Sequence, residues 1–594
     1  FNARYILADE ASATDADFLA IESVVAHEYL HNWSGNRVTL RDWFQLSLKE
    51  GLTVFRDTEF SSDLHSRALK RIEVVRLLRG RQFAEDAGAL AHPVRPARYK
   101  EISNFYTLTI YEKGAEVIRV LHTLVGEDAF RAGMDRYFAD NDGKAATLED
   151  FMAAHAAASG RDLSGFARWY AQAGTPEVAI SADFDDASGD YTLTIDQHTP
   201  PTPGQPDKQP LVIPLRYVLF DAQGAVVDQA PESDAVVRDG LVELTGARHV
   251  LRWRGLKGAP LPAFNQGFGA PVKLRFDQGV DELARLARLE RDSFNRWDLL
   301  QRLATEALLA RPHAEAATGA LSDALADLLS DPDADPAFVA ECLVLPDFDT
   351  LAEQVDEVDV QALVGRREEL LDRLAEDQVE RLQLRYEALA ADAREGLSGK
   401  AMSARALRNA CLAWLTRIDP EARLAQAQFD AGGSMTERIA ALRCLLHFQA
   451  PGAEVALAGF REAHAADPLV TDKWIGLVAT RPHPEALDDV QALMASTWWK
   501  PANPNRVRAL IGSFARLNPL AFHRRDGAGY RLVAAQVAAL DAVNPQVAAR
   551  LLGAFESWRR WAEPQRGQAR AALDSMAGQL ASPDSRDLLE RLLG

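Results

Sequence analysis

The stretch VVAHEYLHNWSGNR, residues 24–37, sets two histidines four residues apart, with a glutamate directly after the first. On a helix, His27 and His31 stand one turn apart on one face, so both imidazoles can reach a single ion. Glu28 is turned aside by one residue, where a general base for a metal-activated water has to be. Two histidines do not complete a catalytic zinc site. Such a site takes three protein ligands and keeps a fourth position for water or substrate. Glu50, in RDWFQLSLKEGLTVFRDTEF, follows His31 after 18 intervening residues. That is room for a short loop and the first turns of a second helix packed back on the first, which makes Glu50 the expected third ligand. The combination predicts a zinc hydrolase holding one Zn2+ per chain rather than a pair of structural histidines.

The elements that must position these groups follow from the pattern around them. Thr14 and Asp15 are good N-cap residues. Phe18, Leu19, Ile21, Val24, Val25 and Leu30 recur at three- and four-residue steps, which predicts a helix buried on one broad face. Gly35 is the expected stop. Further on, RALKRIEVVRLLRG (67–80) and EKGAEVIRVLHTLVG (112–126) have helical periodicity, and TLEDFMAAHAAASG (147–160) opens with a capping box at Thr147 and Asp150. Residues 1–174 therefore read as a mostly helical domain. The opening run FNARYILADE reads instead as a strand.

From 175 to 276 the pattern alternates, in YTLTID, LVIPLRYVLF, LVELTG, HVLRWRG and PVKLRF, with turn clusters such as DASGD and TPPTPGQPDKQP between the runs. Short alternating strands with such turns predict a small β-sandwich, with the proline-rich stretch as an inter-strand loop. From 277 to 594 the chain is helical again, in segments separated by breaks marked by Pro or Gly. This predicts an α-helical superhelix without a clean sequence period. The fold class is thus a multidomain α+β protein: a mostly helical domain that carries H-E-x-x-H and in this resembles thermolysin-like catalytic domains, a β-sandwich and a helical C-terminal domain. The STWWK tryptophans (496–500) are expected to pack between helices.

With these motifs in place, the sequence resembles the M1 family of zinc aminopeptidases, whose signature is H-E-x-x-H, 18 residues, then E. It is most similar to the bacterial aminopeptidase N (alanyl aminopeptidase) branch. The stretches that carry the resemblance are HEYLHNWSGNRVTLRDWFQLSLKEGLTVFRDTEFSSDL (27–64), QFAEDAGALAHPVRP (82–96), NFYTLTIYEKGAEVIRVLHTLVGEDAF (104–130), FARWYAQAGTPEV (166–178), NPNRVRALIGSFA (503–515) and NPQVAARLL (544–552). Lys49-Glu50-Gly51 around the third ligand favours the bacterial branch over animal members, which read N-E-G there. The resemblance implies a catalytic role for Tyr111 as an oxyanion donor. It also implies that Tyr106 lines the pocket for the first substrate side chain, and that Arg508 and Arg550 reach toward the substrate. Removal of N-terminal residues from peptide substrates is the implied activity, with alanine and basic residues as plausible targets.

The family's G-x-M-E-N motif and its N-terminal β domain, each with a glutamate for the substrate's amino group, have no counterpart in these residues. On that reading the chain is expected to be the C-terminal part of a longer enzyme, completed by an N-terminal chain or segment. The alternative is a non-catalytic zinc-binding fragment. An endopeptidase of the thermolysin type shares H-E-x-x-H but not the YEKGAEV context or the helical second half.

Composition bounds the rest. The 594 residues are too many for one core, and the net charge of −20 argues against nucleic acid or an anionic membrane as partner. No run of about 18 apolar residues is present, so no membrane span is expected. Cys342, Cys411 and Cys444 are odd in number and sit among apolar residues, which predicts reduced core thiols and a cytoplasmic location. The other eleven of the 13 histidines lack ligand spacing.

Overall fold

The structure is a computed structural model, and it describes residues 2–88, 91–98, 106–309, 312–352 and 354–594. The chain forms two compact units, residues 19–303 and residues 1–18 with 304–594.

The site elements begin with α1 (Asp15–Leu30) and α2 (Leu46–Leu64). Thr14 opens α1 reciprocally with Asp17. The Asp17 amide donates to Thr14 Oγ1, and the Thr14 amide and hydroxyl donate to Asp17 Oδ2. The helix stops at Leu30, five residues before the Gly35 stop that the pattern predicts, and Gly35 instead serves a later turn with φ +119. Nor is α1 buried on one broad face. Phe18, Leu19, Ile21, Val24 and Leu30 are half-buried, and Val25 and Tyr29 are exposed. The helix is apolar on all sides, and periodicity cannot report what packs against it. The opening run is not a strand: Ala3–Tyr5 form a 3-10 turn, because the Asn2 side chain accepts from the Arg4 amide.

After α2 come α3 (Arg67–Leu77), a π-helical turn (Leu78–Gln82) and α4 (Phe83–Ala87). A second π-helical turn, Thr109–Lys113, runs into α5 (Gly114–Val125). α6 (Glu127–Asn141) and α7 (Leu148–Ser159) complete the helical part, α7 with the predicted Thr147–Asp150 capping box and a left-handed Gly160 at its end. A parallel two-residue pair, β1 (Thr39–Leu40) with β2 (Ala145–Ala146), fixes the start of α2 against α7. There the Gln45 side chain accepts from the Leu148 amide.

The β-sandwich follows. Its strands are β3 (Glu177–Asp185), β4 (Asp190–His198), β5 (Ile213–Phe220), β6 (Glu232–Ser233), β7 (Val236–Arg238), β8 (Leu241–Leu244), β9 (Arg248–Trp253), β10 (Leu261–Phe264) and β11 (Lys273–Arg275). One sheet has the order β10-β5-β8-β7 and the other β11-β3-β4-β9-β6. Only β11 with β3 is parallel within these two sheets. Alternation along β4 buries Tyr191, Leu193 and Ile195, and their core is continuous with Leu48, Leu52, Phe55, Val117 and Leu121 of the helical part. α2, which bears Glu50, therefore shares its core with the sandwich.

In the other unit the helices begin at polar caps. Asp359, Ser398, Ser434, Asp467, Asn503, Asn544 and Ser582 each accept from amides of the first turn, and Pro468, Pro504, Pro545 and Pro583 occupy first-turn positions where no amide is needed. Within this unit Asp15 holds buried Arg405 through two 2.7 Å bonds. Trp498 packs edge-on against Trp474, with ring centroids 5.7 Å apart, as expected for the STWWK stretch. The three cysteines are buried and none is in a disulfide. Among the described residues, no helix is long and apolar enough to cross a membrane.

Candidate metal and catalytic site

His27 lies on the last turn of α1 and His31 just beyond it, still joined by the His31 amide to the His27 carbonyl. Glu50 comes from the second turn of α2. Asp42 starts that segment: its carboxylate accepts from the Phe44 amide at 3.0 Å and from Gln45 Nε2 at 3.2 Å. Ser34 Oγ donates to the Leu48 carbonyl at 2.7 Å and ties the turn after α1 to α2.

Three ligand atoms converge. His31 Nε2 is 3.0 Å from His27 Nε2, and Glu50 Oε2 is 3.3 Å from His27 Nε2 and 3.5 Å from His31 Nε2. A tetrahedron with bonds of about 2.0–2.1 Å has edges of about 3.3 Å, so the triangle already has the size that zinc requires. The far side of each ring is fixed. His27 Nδ1 is 2.8 Å from Asp57 Oδ2, and His31 Nδ1 is 3.0 Å from the Ser34 carbonyl and 3.3 Å from Thr53 Oγ1. With an acceptor at each Nδ1, each Nδ1 carries the proton and each Nε2 presents a lone pair. Two lone pairs and a carboxylate facing one another demand a positive charge between them. The donor set therefore fits zinc.

In the metal-free chain a proton meets that demand. Burial alone would lower the pKa of His27, but the hydrogen bonds to Asp57 and Glu50 reverse this and raise it to about 9. Glu50, buried but faced by both histidines and Lys49, is held far below the usual carboxylate range. Zinc needs the neutral imidazole, so it must expel this proton at any pH below about 9. We expect uptake to release about one proton at pH 7, and apparent affinity to rise roughly tenfold per pH unit until it levels off near pH 9. Calorimetric titration with zinc in buffers of different ionisation heat checks this, and uptake without proton release would contradict it.

Glu50, Thr53 and Asp57 lie at steps of three and four along α2, so one buried face supplies a ligand and the supports for both rings. Asp57 and Thr53 were not anticipated from sequence. Their only signal is that spacing from Glu50. Glu28 follows His27 on α1 and is exposed. Tyr111 lies on the second π-helical turn. Burial, and then the Glu50 carboxylate with a smaller share from Glu28, push its phenol well above its ordinary range and keep it a proton donor. The close approach of that turn to α2 depends on two glycines. A Cβ on Gly51 would lie 2.8 Å from the Gly114 carbonyl carbon, and one on Gly114 would lie 3.2 Å from Gly51 Cα. Overpacking there would cost about 1–3 kcal/mol and part Tyr111 from Glu50.

The peptidase family M1 domain model matches residues 1–170. A domain of unknown function with an Ig-like fold matches 174–277, and its companion with ARM repeats matches 280–594. Aminopeptidase N of Escherichia coli is 43% identical over 97% of this chain and 67% of its own length. The chain belongs to the M1 peptidase family. Aminopeptidase N of Caulobacter vibrioides is 44% identical over 99% of the chain and 68% of its own length. The crystal structure of Legionella pneumophila aminopeptidase A in complex with aspartic acid superposes with a TM-score of 0.83 at 28% identity. It covers 100% of this chain and 68% of that one.

The structure brings His27, His31 and Glu50 together, with Tyr111 near enough to feel the Glu50 and Glu28 carboxylates. Tyr106 joins them as a half-exposed ring with its centroid 6.3 Å from that of Tyr111. Arg508 and Arg550 belong to the other unit, where both are exposed. Arg508 Nη2 donates to Asn505 Oδ1 at 3.0 Å, and the Arg550 carbonyl accepts from Arg516.

Proposed function

We propose that the chain removes N-terminal residues from peptides by zinc-dependent hydrolysis, with one zinc held by His27, His31 and Glu50. The observation that carries this reading is the triangle of ligand atoms with both rings anchored from behind. Zinc bound there supplies Lewis acidity toward a water and toward the substrate carbonyl. Glu28, beside the triangle and open to solvent, takes a proton from the attacking water and returns it to the leaving amine nitrogen. Tyr111 keeps its phenolic proton and donates a hydrogen bond to the oxyanion as the carbonyl becomes tetrahedral. It does so without placing a second charge beside Glu50. Tyr106, with its exposed ring, forms a wall for the first substrate side chain.

On the same reading, residues 1–174 are the catalytic domain, 175–276 the sandwich that supports it and 277–594 the helical domain. Three buried thiols outside any disulfide and a net charge of −20 support a cytoplasmic location and a partner that is a peptide rather than nucleic acid. The test is turnover of alanyl arylamide before and after chelation. Chelation should abolish hydrolysis and stoichiometric zinc should restore it. Undiminished hydrolysis by protein shown to be free of metal would contradict the proposal.

A further inference from the structure

Tyr111 sits on a π-helical turn, a geometry that is rare because its hydrogen bonds are poor, and which persists only where surroundings impose it. Two adjacent carboxylates of α4 grip this turn at its two ends. Glu85 Oε1 accepts from the Thr109 amide at 2.9 Å and from Thr109 Oγ1 at 2.6 Å. Asp86 Oδ2 accepts from Lys113 Nζ at 2.7 Å. Lys113 Nζ also donates to the Gly174 carbonyl at 3.0 Å, and Thr175 Oγ1 donates to Asp86 Oδ2 at 2.8 Å. Lys113 is 1% exposed and Asp86 2%. A buried ion pair adds little stability over an apolar pair of the same volume, so its presence calls for another reason. Here the pair holds the Lys113 end of the five residues that present the phenol, and Glu85 holds the Thr109 end.

We propose that Glu85, Asp86 and Lys113 are positioning residues for Tyr111, with the Asp86–Lys113 pair fixing the π-helical turn to the first residues of the sandwich. The inference rests on the reading of Tyr111 as the oxyanion donor. Because a displacement of about 1 Å at a reacting group costs about a hundredfold in rate, loosening the clamp should lower kcat strongly and leave KM and zinc content nearly unchanged.

The experiment is a double-mutant cycle on the zinc-loaded enzyme with alanyl arylamide. Lys113→Met should lower kcat by about a hundredfold in the wild-type background and by less than about threefold in the Tyr111→Phe background, because the group it serves is already gone. Thr109→Val removes one hydroxyl while keeping the shape. It provides a milder second cycle should Lys113→Met fold poorly, with the same loss of effect in the Tyr111→Phe background. Equal losses in both backgrounds would overturn the positioning role. A Tyr111→Phe enzyme with normal kcat would overturn the oxyanion reading instead, so the two failures are distinguishable.

Discussion

Replacing Glu28 by Gln should leave one zinc per chain and remove nearly all turnover, with kcat falling about a hundredfold to ten-thousandfold. The amide has the same shape and can still hydrogen-bond to water, but it cannot take a proton. Glu28 is exposed, so the variant should fold and keep its metal. Measured kcat, KM and zinc content together decide the matter. A variant that retains zinc and turns over at a normal rate would remove Glu28 from the mechanism.

Replacing His27 by Ala should have the other large effect, through the metal rather than the proton. Loss of a ligand removes one of three bonds to zinc and leaves Asp57 buried without its ring partner. Zinc affinity should fall by well over the roughly 10–100-fold that loss of a supporting group costs in metal sites. Asp57→Asn should fall within that smaller range, since His27 remains and only its orientation and basicity suffer. Competition against a chelator of known affinity ranks the three proteins. Equal affinities for wild type and His27→Ala would exclude His27 as a ligand, and a larger loss for Asp57→Asn would reverse the assigned roles.

What was legible in the sequence was what depends on local geometry. Two histidines four residues apart share a helix face whatever surrounds them, and 18 residues suffice to bring Glu50 back. Alternation marked β4, β5, β8, β9 and β11, while β6 and β7, two and three residues long, are too short to show a period. The supports of the site were not legible, because they are made at a distance. Asp86 meets Lys113 across 27 positions and Thr175 across 89, and none of these residues carries a pattern that names its partner. Asp57 was one carboxylate among 86 acidic residues until the fold set it behind His27. The apolar residues of α1 predicted one broad buried face that the helix does not have, since their spacing states preference and not the presence of a neighbour.

Diffraction from crystals of the zinc-loaded enzyme, recorded on both sides of the zinc absorption edge, tests the central claim most directly. The account predicts a single strong anomalous peak per chain, about 2.0–2.1 Å from His27 Nε2, His31 Nε2 and a Glu50 carboxylate oxygen. A peak bonded to other side chains, or no peak there in crystals whose protein carries zinc in solution, would contradict it.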